Sequence, residues 1–360
     1  MSFHASSSSR HINSPLASLQ AGTWFKLICG ASFQHILTVR NCTLAFALAG
    51  ADCIDIAADP AIIYAVQEVL DRVEALGKPR PWLMVSLNDG EDPHFRKAEF
   101  DPTTCPPNCD RPCEKVCPAN AIQFATQPTG VIDELCYGCG RCLPICPIQT
   151  IHARPYVYTP EIIVPMVMKM GIDAIEIHTQ VGRIADFTRL WNVIKPWSNR
   201  LKLLAISCPD GEQMLDYLDT LHSIIEPFQG ANLWQTDGRP MSGDIGDGAT
   251  RACIQLGQKV LNHNLPGFIQ LAGGTNHHTV EKLRSLQLLP HQAPKHHLAG
   301  IGYGSYARSQ LQPVLAELER RGCDRLEEHS DLLQESIKIA TRLISPLKSS
   351  CEFPQLGDRQ

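Results

Sequence analysis

The sequence has no apolar run long enough to cross a bilayer. A membrane helix needs about 18 consecutive apolar residues; Asp52, Asp55 and Asp59 break the best stretch, and Lys169 breaks the run from Ile162 to Met170. No transmembrane segment is expected. Dense basic runs are missing too: 32 Lys plus Arg stand against 37 Asp plus Glu, for a formal net charge of -5. Nucleic acid is not an expected partner, because phosphate binding leaves a basic footprint. The Ser-rich stretch 1–20 lacks the apolar centre of a secretory leader. It is expected to be a flexible tail, and the protein is placed in the cytoplasm.

Cysteine is what the sequence has in excess, with 15 in 360 residues. Without an export signal, cysteines at short, clustered spacings point to metal ligands in a reducing compartment rather than to disulfides. The remainder, 44% hydrophobic and 19% charged overall, is the composition of a soluble globular chain long enough for two ordinary domains or one large α/β barrel.

From Trp24 onward, short apolar segments alternate with longer stretches of helical period, the signature of βα units around a parallel sheet. Strands are expected at 24–30, 52–57, 82–87, 173–178, 201–207, 231–236, 266–272 and 298–303. Helices are expected at 60–76, entered through Pro60 and stopped by Gly77, at 310–321 before Gly322, and at 331–345. Eight strands with intervening helices match an α/β fold of the (β/α)8 TIM-like barrel type, interrupted after the third strand. Open α/β sheet domains flanking the interruption are the alternative. The expected layout is a tail at 1–20, the first part of the barrel at 21–100, an insert at 101–156, the rest of the barrel at 157–325, and a C-terminal helix and tail at 326–360.

The insert combines eight cysteines with many prolines and little apolar material, so something other than a hydrophobic core must hold it together. Its second run, Cys136-Tyr-Gly-Cys139-Gly-Arg-Cys142-Leu-Pro-Ile-Cys146-Pro147, is spaced C-x2-C-x2-C-x3-C-P. In that spacing three thiolates on a tight loop wrap one iron–sulfur cubane, while the fourth bonds a second cluster. The first run, Cys105-x3-Cys109-x3-Cys113-x3-Cys117-Pro118, keeps the last spacing and lengthens the first two by one residue each. Both runs continue to an apolar residue five positions on, Ile122 and Ile151, which suggests pseudo-symmetric halves. The expected ligands are Cys105, Cys109, Cys113 and Cys146 for one cluster and Cys117, Cys136, Cys139 and Cys142 for the other. Both clusters are expected to be [4Fe–4S], with [3Fe–4S] an alternative for the first. Structural zinc is the competing reading, but it needs only four ligands and has no use for this spacing.

The cysteine-rich segment resembles two-cluster bacterial ferredoxins, with Gly130-Val-Ile-Asp-Glu-Leu-Cys136 similar to the approach to their second motif. Over nearly its full length the chain resembles the cyanobacterial light-dependent period family, LdpA. The residues that carry this are Phe25-Lys-Leu-Ile-Cys-Gly-Ala-Ser-Phe-Gln-His35, Ala49-Gly-Ala-Asp-Cys-Ile-Asp-Ile-Ala57, the eight cysteines, and Ile269-Gln-Leu-Ala-Gly-Gly-Thr-Asn276. The resemblance implies a redox-active iron–sulfur protein that carries photosynthetic redox state to the circadian clock, with the clock proteins KaiA and CikA as partners.

Other candidates rest on less. Gly273, Gly274, Gly302, Gly304 and Arg308 fall after the seventh and eighth strands, where barrels bind phosphate, and form a candidate phosphate or flavin (FMN) site. Tight turns explain the same glycines. The loop Asp237–Gly248 is glycine-rich but lacks a P-loop lysine. Cys29 and Cys208 are expected to be small buried hydrophobes, and His277, His278, His291, His296 and His297 solvated loop residues. No residue is assigned a catalytic role. Two functions remain open: a redox sensor, and an oxidoreductase passing electrons from the clusters to a flavin or substrate in the barrel, with a possible electron-transfer partner.

Overall fold

The computed structural model describes residues 14–29, 35–90, 96–117, 120–124, 130–133, 135–136, 140–155, 159–238, 249–290, 292–293 and 296–349. The chain opens with helix α1 (Pro15–Gln20) and then alternates β1 (Trp24–Ile28), α2 (Ile36–Ala49), β2 (Cys53–Ala57), α3 (Pro60–Ala75) and β3 (Trp82–Asn88). An inserted module follows: β4 (Arg96–Glu99), α4 (Pro112–Val116), β5 (Ile122–Gln123), β6 (Gly130–Val131), α5 (Cys142–Ile145) and β7 (His152–Pro155). Alternation resumes with α6 (Pro160–Lys169), β8 (Ala174–His178), α7 (Ile184–Ile194), β9 (Leu203–Pro209), α8 (Met214–Ile225) and β10 (Ala231–Asp237). It ends with α9 (Ala249–His263), β11 (Phe268–Ala272), α10 (Thr279–Ser285), β12 (Gly300–Tyr303), α11 (Ser305–Arg320) and α12 (Ser330–Lys348).

Eight parallel strands close into a barrel in the order β1-β2-β3-β8-β9-β10-β11-β12, the last pairing back onto the first through Trp24↔Gly300 to Leu27↔Tyr303. The (β/α)8 expectation holds and the open sheet does not occur. Strand residues are buried on both faces, as in β3 where Trp82 to Leu87 are all buried, which is why these segments read as continuous apolar runs. Helix entries follow local chemistry. Asp59 caps α3 by accepting from the Ala61 N–H at 2.8 Å, with Pro60 in the first turn. Gly50, at φ 99°, supplies the left-handed residue that ends α2.

Two boundaries differ from expectation. The stretch 1–20 is not all tail: Pro15–Gln20 is a helix, and Leu19 is fully buried with Trp24, Trp82, Met84 and Leu203 in the lower barrel interior. A single leucine facing the barrel base is enough to fix one and a half turns, and it leaves no periodic signal in so short a segment. The insert is rooted before residue 101, because β4 and β7 pair antiparallel from Arg96↔Pro155 to Glu99↔His152. No helix among the described residues is long and apolar enough to cross a membrane.

The helix α12 seals the base. Lys348 Nζ donates to Asp52 Oδ2 at 2.5 Å and to Ser18 Oγ at 3.0 Å, and the same Asp52 oxygen accepts the Phe25 N–H at 2.8 Å. Burial pushes the Asp52 carboxyl above its ordinary pKa, and Lys348, Ser18 and the Phe25 N–H only partly pull it back. Replacing Lys348 by Ala would leave a buried carboxylate short of its cation. The expected loss is about 1–3 kcal/mol in denaturant unfolding at neutral pH. The folded-state pKa lies above the unfolded one, so the deficit should shrink as acidification protonates Asp52. An equal deficit at every pH would show that Lys348 acts by packing alone.

Candidate iron–sulfur centre on the barrel rim

The cysteines of the insert sit in two locally similar frames. The short helices α4 and α5 pack together. Each carries a cysteine in its first turn, Cys113 and Cys142, and ends on a second, Cys117 (φ −76°, ψ 107°) and Cys146 (φ −70°, ψ 115°). Three residues further on, Asn120 and Gln149 both turn the chain through positive φ, at 50° and 51°. Ile122 and Ile151 then enter the module's core beside Ala98, Phe100 and Ala121. Sulfur is interleaved with these side chains: Cys113, Cys136, Cys142 and Cys146 are buried in the core, and Cys105 and Cys117 border it. Cys109 is half-buried, and Cys139 lies outside the described residues.

Burial first, and then the thiols of Cys109 and Cys146, push the Cys105 thiol above its ordinary pKa. Burial raises Cys113 as well, against its own and the Glu114 backbone N–H, and Cys105 and Cys146 add to the rise. Cys146, from the second run, thus shares electrostatic surroundings with cysteines of the first. Its own thiol moves the other way: burial is outweighed by the N–H groups of Thr150, Ile148, Ile151 and Gln149, which favour the thiolate. Two further sulfurs accept backbone bonds, Cys136 from Ala98 N at 3.4 Å and Cys117 from Ala121 N at 3.2 Å. Among the described residues no three Cys, His, Asp or Glu side chains converge on a single metal-ion position, but soft sulfur donors with N–H groups aimed at them have the chemistry of iron–sulfur ligands, whose charge such bonds tune.

The module is fastened to the C-terminal rim of the barrel, since it leaves from the end of β3. Lys97, buried, pairs with the buried helix cap Asp59 at 3.7 Å and donates to the Asp133 carbonyl. Arg154 ties Asp133 to Glu99. Arg141, the residue that precedes α5, places Nη2 2.7 Å from His35 Nε2 at the start of α2.

The barrel interior holds a polar chain that the sequence reading did not single out. Lys26, Asp55 and Glu176 are buried at inward positions of β1, β2 and β8; Lys26 pairs with Glu176 and lies 3.4 Å from Asp55. Glu176 Oε1 accepts from Gln235 at 2.6 Å and faces His178 Nε2 at 3.2 Å. Gln270 links Gln235 to Trp24, at 2.6 and 2.7 Å. Burial works against the Lys26 ammonium, but Glu176 and Asp55 overcome it and hold the proton. The available signal was a charge at alternate positions inside otherwise apolar strands, as in Phe25-Lys-Leu and Ile175-Glu-Ile. Replacing Lys26 by Met should cost about 3–5 kcal/mol by exposing two buried carboxylates to each other. Adding Glu176→Gln should recover part of it; no recovery in urea melts would mean that packing, not charge, dominates.

The candidate phosphate or flavin residues are only partly brought together. Gly273 and Gly274 turn at φ 65° and 110° after β11, and Thr275 Oγ1 bonds the Gly302 carbonyl at 2.7 Å, so the two rims adjoin. Gly302 is not a loop residue: it lies in β12, where an added Cβ would stand 2.8 Å from Gln270 Nε2. Gly304 caps α11, and Arg308 donates to the Ile28 carbonyl at 2.6 Å, fastening β1 to α11. Cys29 and Cys208 are buried, and burial pushes the Cys208 thiol up to about 12. His277 meets Tyr306, His296 meets Asn262 and His297 meets the Ala293 carbonyl, each a separate contact. His291 and the Asp237–Gly248 loop beyond Gly238 lie outside the described residues.

Comparison with known proteins agrees with this geometry. The family model described as the LdpA Fe-S cluster-binding domain matches residues 105–157, and that of the Light dependent period A C-terminal domain matches residues 166–346. Light dependent period A of Synechococcus elongatus is 49% identical over 337 residues, covering 93% of this chain and 94% of that protein. The ferredoxin-type protein NapF of Haemophilus influenzae is 46% identical over 46 residues, 11% of this chain and 26% of that one. Among solved structures, tryptophan synthase from M. tuberculosis matches with a TM-score of 0.42 and 8% identity, over 92% of this chain and 99% of that one. With an iron–sulfur-binding segment seated on a barrel and near-complete coverage by a relative of this identity, the chain belongs to the Light dependent period A family.

Proposed function

We propose that the protein is a cytoplasmic redox sensor: two [4Fe–4S] clusters in a ferredoxin-type unit at 101–156 report cellular redox state to the circadian clock through the barrel formed by 21–100 and 157–325. Cys105, Cys109, Cys113 and Cys146 hold one cluster; Cys117, Cys136, Cys139 and Cys142 hold the other. The single observation that supports this reading is that Cys146 of the second run lies near enough to Cys105 and Cys113 of the first to raise both thiols, a proximity that ligand exchange between the halves would need. The link to the clock is supported by the relative's name, which concerns a light-dependent period, and the family resemblance implies KaiA and CikA as partners. A sensor is favoured because the unit is pinned to the rim by Lys97, Asp59, Arg141 and His35, so one electron's worth of charge acts on a fixed surface.

Anaerobically prepared protein should contain about eight irons and eight labile sulfides per chain and give a reversible EPR titration within the potential range of cellular carriers. Zinc in place of iron, or clusters silent across that range, would overturn the sensor. The ligand exchange has its own test: Cys146→Ser and Cys105→Ser should abolish the same EPR signal, while Cys142→Ser abolishes the other. If Cys146→Ser instead matches Cys142→Ser, each run holds its own cluster.

A further inference from the structure

His35 makes two contacts that one neutral imidazole cannot make together. As the N-cap of α2, its Nδ1 lies 3.2 Å from the Thr38 N–H, a bond that requires a bare Nδ1 and therefore a proton on Nε2. Yet Nε2 faces Arg141 Nη2 at 2.7 Å, and a guanidinium only donates, so that bond requires a bare Nε2. In the second arrangement the Nδ1 proton is taken by Thr38 Oγ1, 2.8 Å away. Burial, and next the Arg141 charge, hold the ring below its ordinary pKa, so it is neutral and must choose. Arg141 meanwhile forms no ion pair with a carboxylate among the described residues. The immediate sequence neighbour of Arg141 is Cys142, one of the ligands proposed for the second cluster.

We propose that His35 is a tautomeric switch between the cluster loop and the barrel, latching Arg141 in the oxidised protein and capping α2 in the reduced one. This rests on the sensor reading and supplies its transmission step. A negative charge added by a one-electron reductant at a cluster that Cys142 would help to hold would attract the Arg141 guanidinium and release His35 Nε2. Water then delivers a proton to Nε2 and removes one from Nδ1, leaving the ring neutral, and Nδ1 accepts the Thr38 N–H. The first turn of α2 tightens. That turn shares a cavity of about 90 Å³ with Arg141 and the α11 residues Gln312, Leu315 and Glu319, so the change emerges on the outer surface, where a partner reads it. His35 and Arg141 are positioning residues and take no part in electron transfer.

Hydrogen–deuterium exchange on the intact protein, air-oxidised or dithionite-reduced under argon, tests this. Reduction should slow exchange of the first-turn amides of α2 about fivefold, the effect of gaining a cap. His35→Asn, which caps without facing the contest, should show slow exchange in both states. Arg141→Ala should do the same and also lower the reduced-to-oxidised ratio at fixed potential about tenfold, a shift of about 59 mV for one electron; Arg141→Lys should restore the potential. If Arg141→Ala fails to take up clusters, His35→Asn decides alone. Clusters that titrate normally while α2 exchange ignores redox state would overturn the switch and leave the sensor standing. Clusters that do not titrate would overturn the sensor itself.

Discussion

The bond between thiolate and iron is the constraint on which the insert depends. Its described core is a handful of apolar side chains, among them Phe100, Ala121, Ile122 and Ile151, interleaved with sulfur atoms. A segment so rich in proline cannot recover its lost conformational freedom from such a core alone. Inorganic bonds substitute for apolar area, and every local feature serves them: two short helices that end on cysteines in matching conformations, positive-φ turns at Asn120 and Gln149, and backbone N–H groups gathered around Cys146. Iron–sulfur binding and folding would therefore form one thermodynamic system in this part of the chain.

The barrel gives that system a rigid mount. Its shell packs as one apolar cluster, while its base is closed by Leu19 and by the contact of Lys348 with Asp52. Along its axis, charge replaces hydrocarbon. Lys26, Asp55 and Glu176 hold one another in place, and glutamine amides carry the chain of bonds to Trp24. Such a network is costly to break and fixes strand register, because no residue in it can be shifted without orphaning another. The cluster module thus stands on a surface that yields only at chosen points.

Much of this was legible in the residues. All eight barrel strands are short, mostly apolar segments that alternate with helical stretches, as a parallel sheet requires, and the insert announces itself by its clustered cysteine spacing. What stayed hidden is contact chemistry between distant segments. Nothing around Lys26 reveals that Glu176 waits across the barrel. Gly302, within the expected strand 298–303, gives no sign that its bare backbone is needed beside the Gln270 side chain. Nor does the sequence around Arg308 show that its guanidinium donates to the Ile28 carbonyl. In each instance the deciding partner is remote in sequence, and local pattern carries no record of it.

Ring closure through β1 and β12 has a consequence for how the molecule is made. The first strand cannot acquire its second neighbour until residues 300–303 have left the ribosome, and the sealing lysine at 348 comes later still. The cysteines at 105–146 emerge long before, when only three of the eight barrel strands exist. At about 5–20 residues per second, the cysteine runs are synthesised about ten to thirty seconds before the strand that closes the barrel. The order of synthesis therefore leaves the cysteines of the insert accessible while the mount is still open.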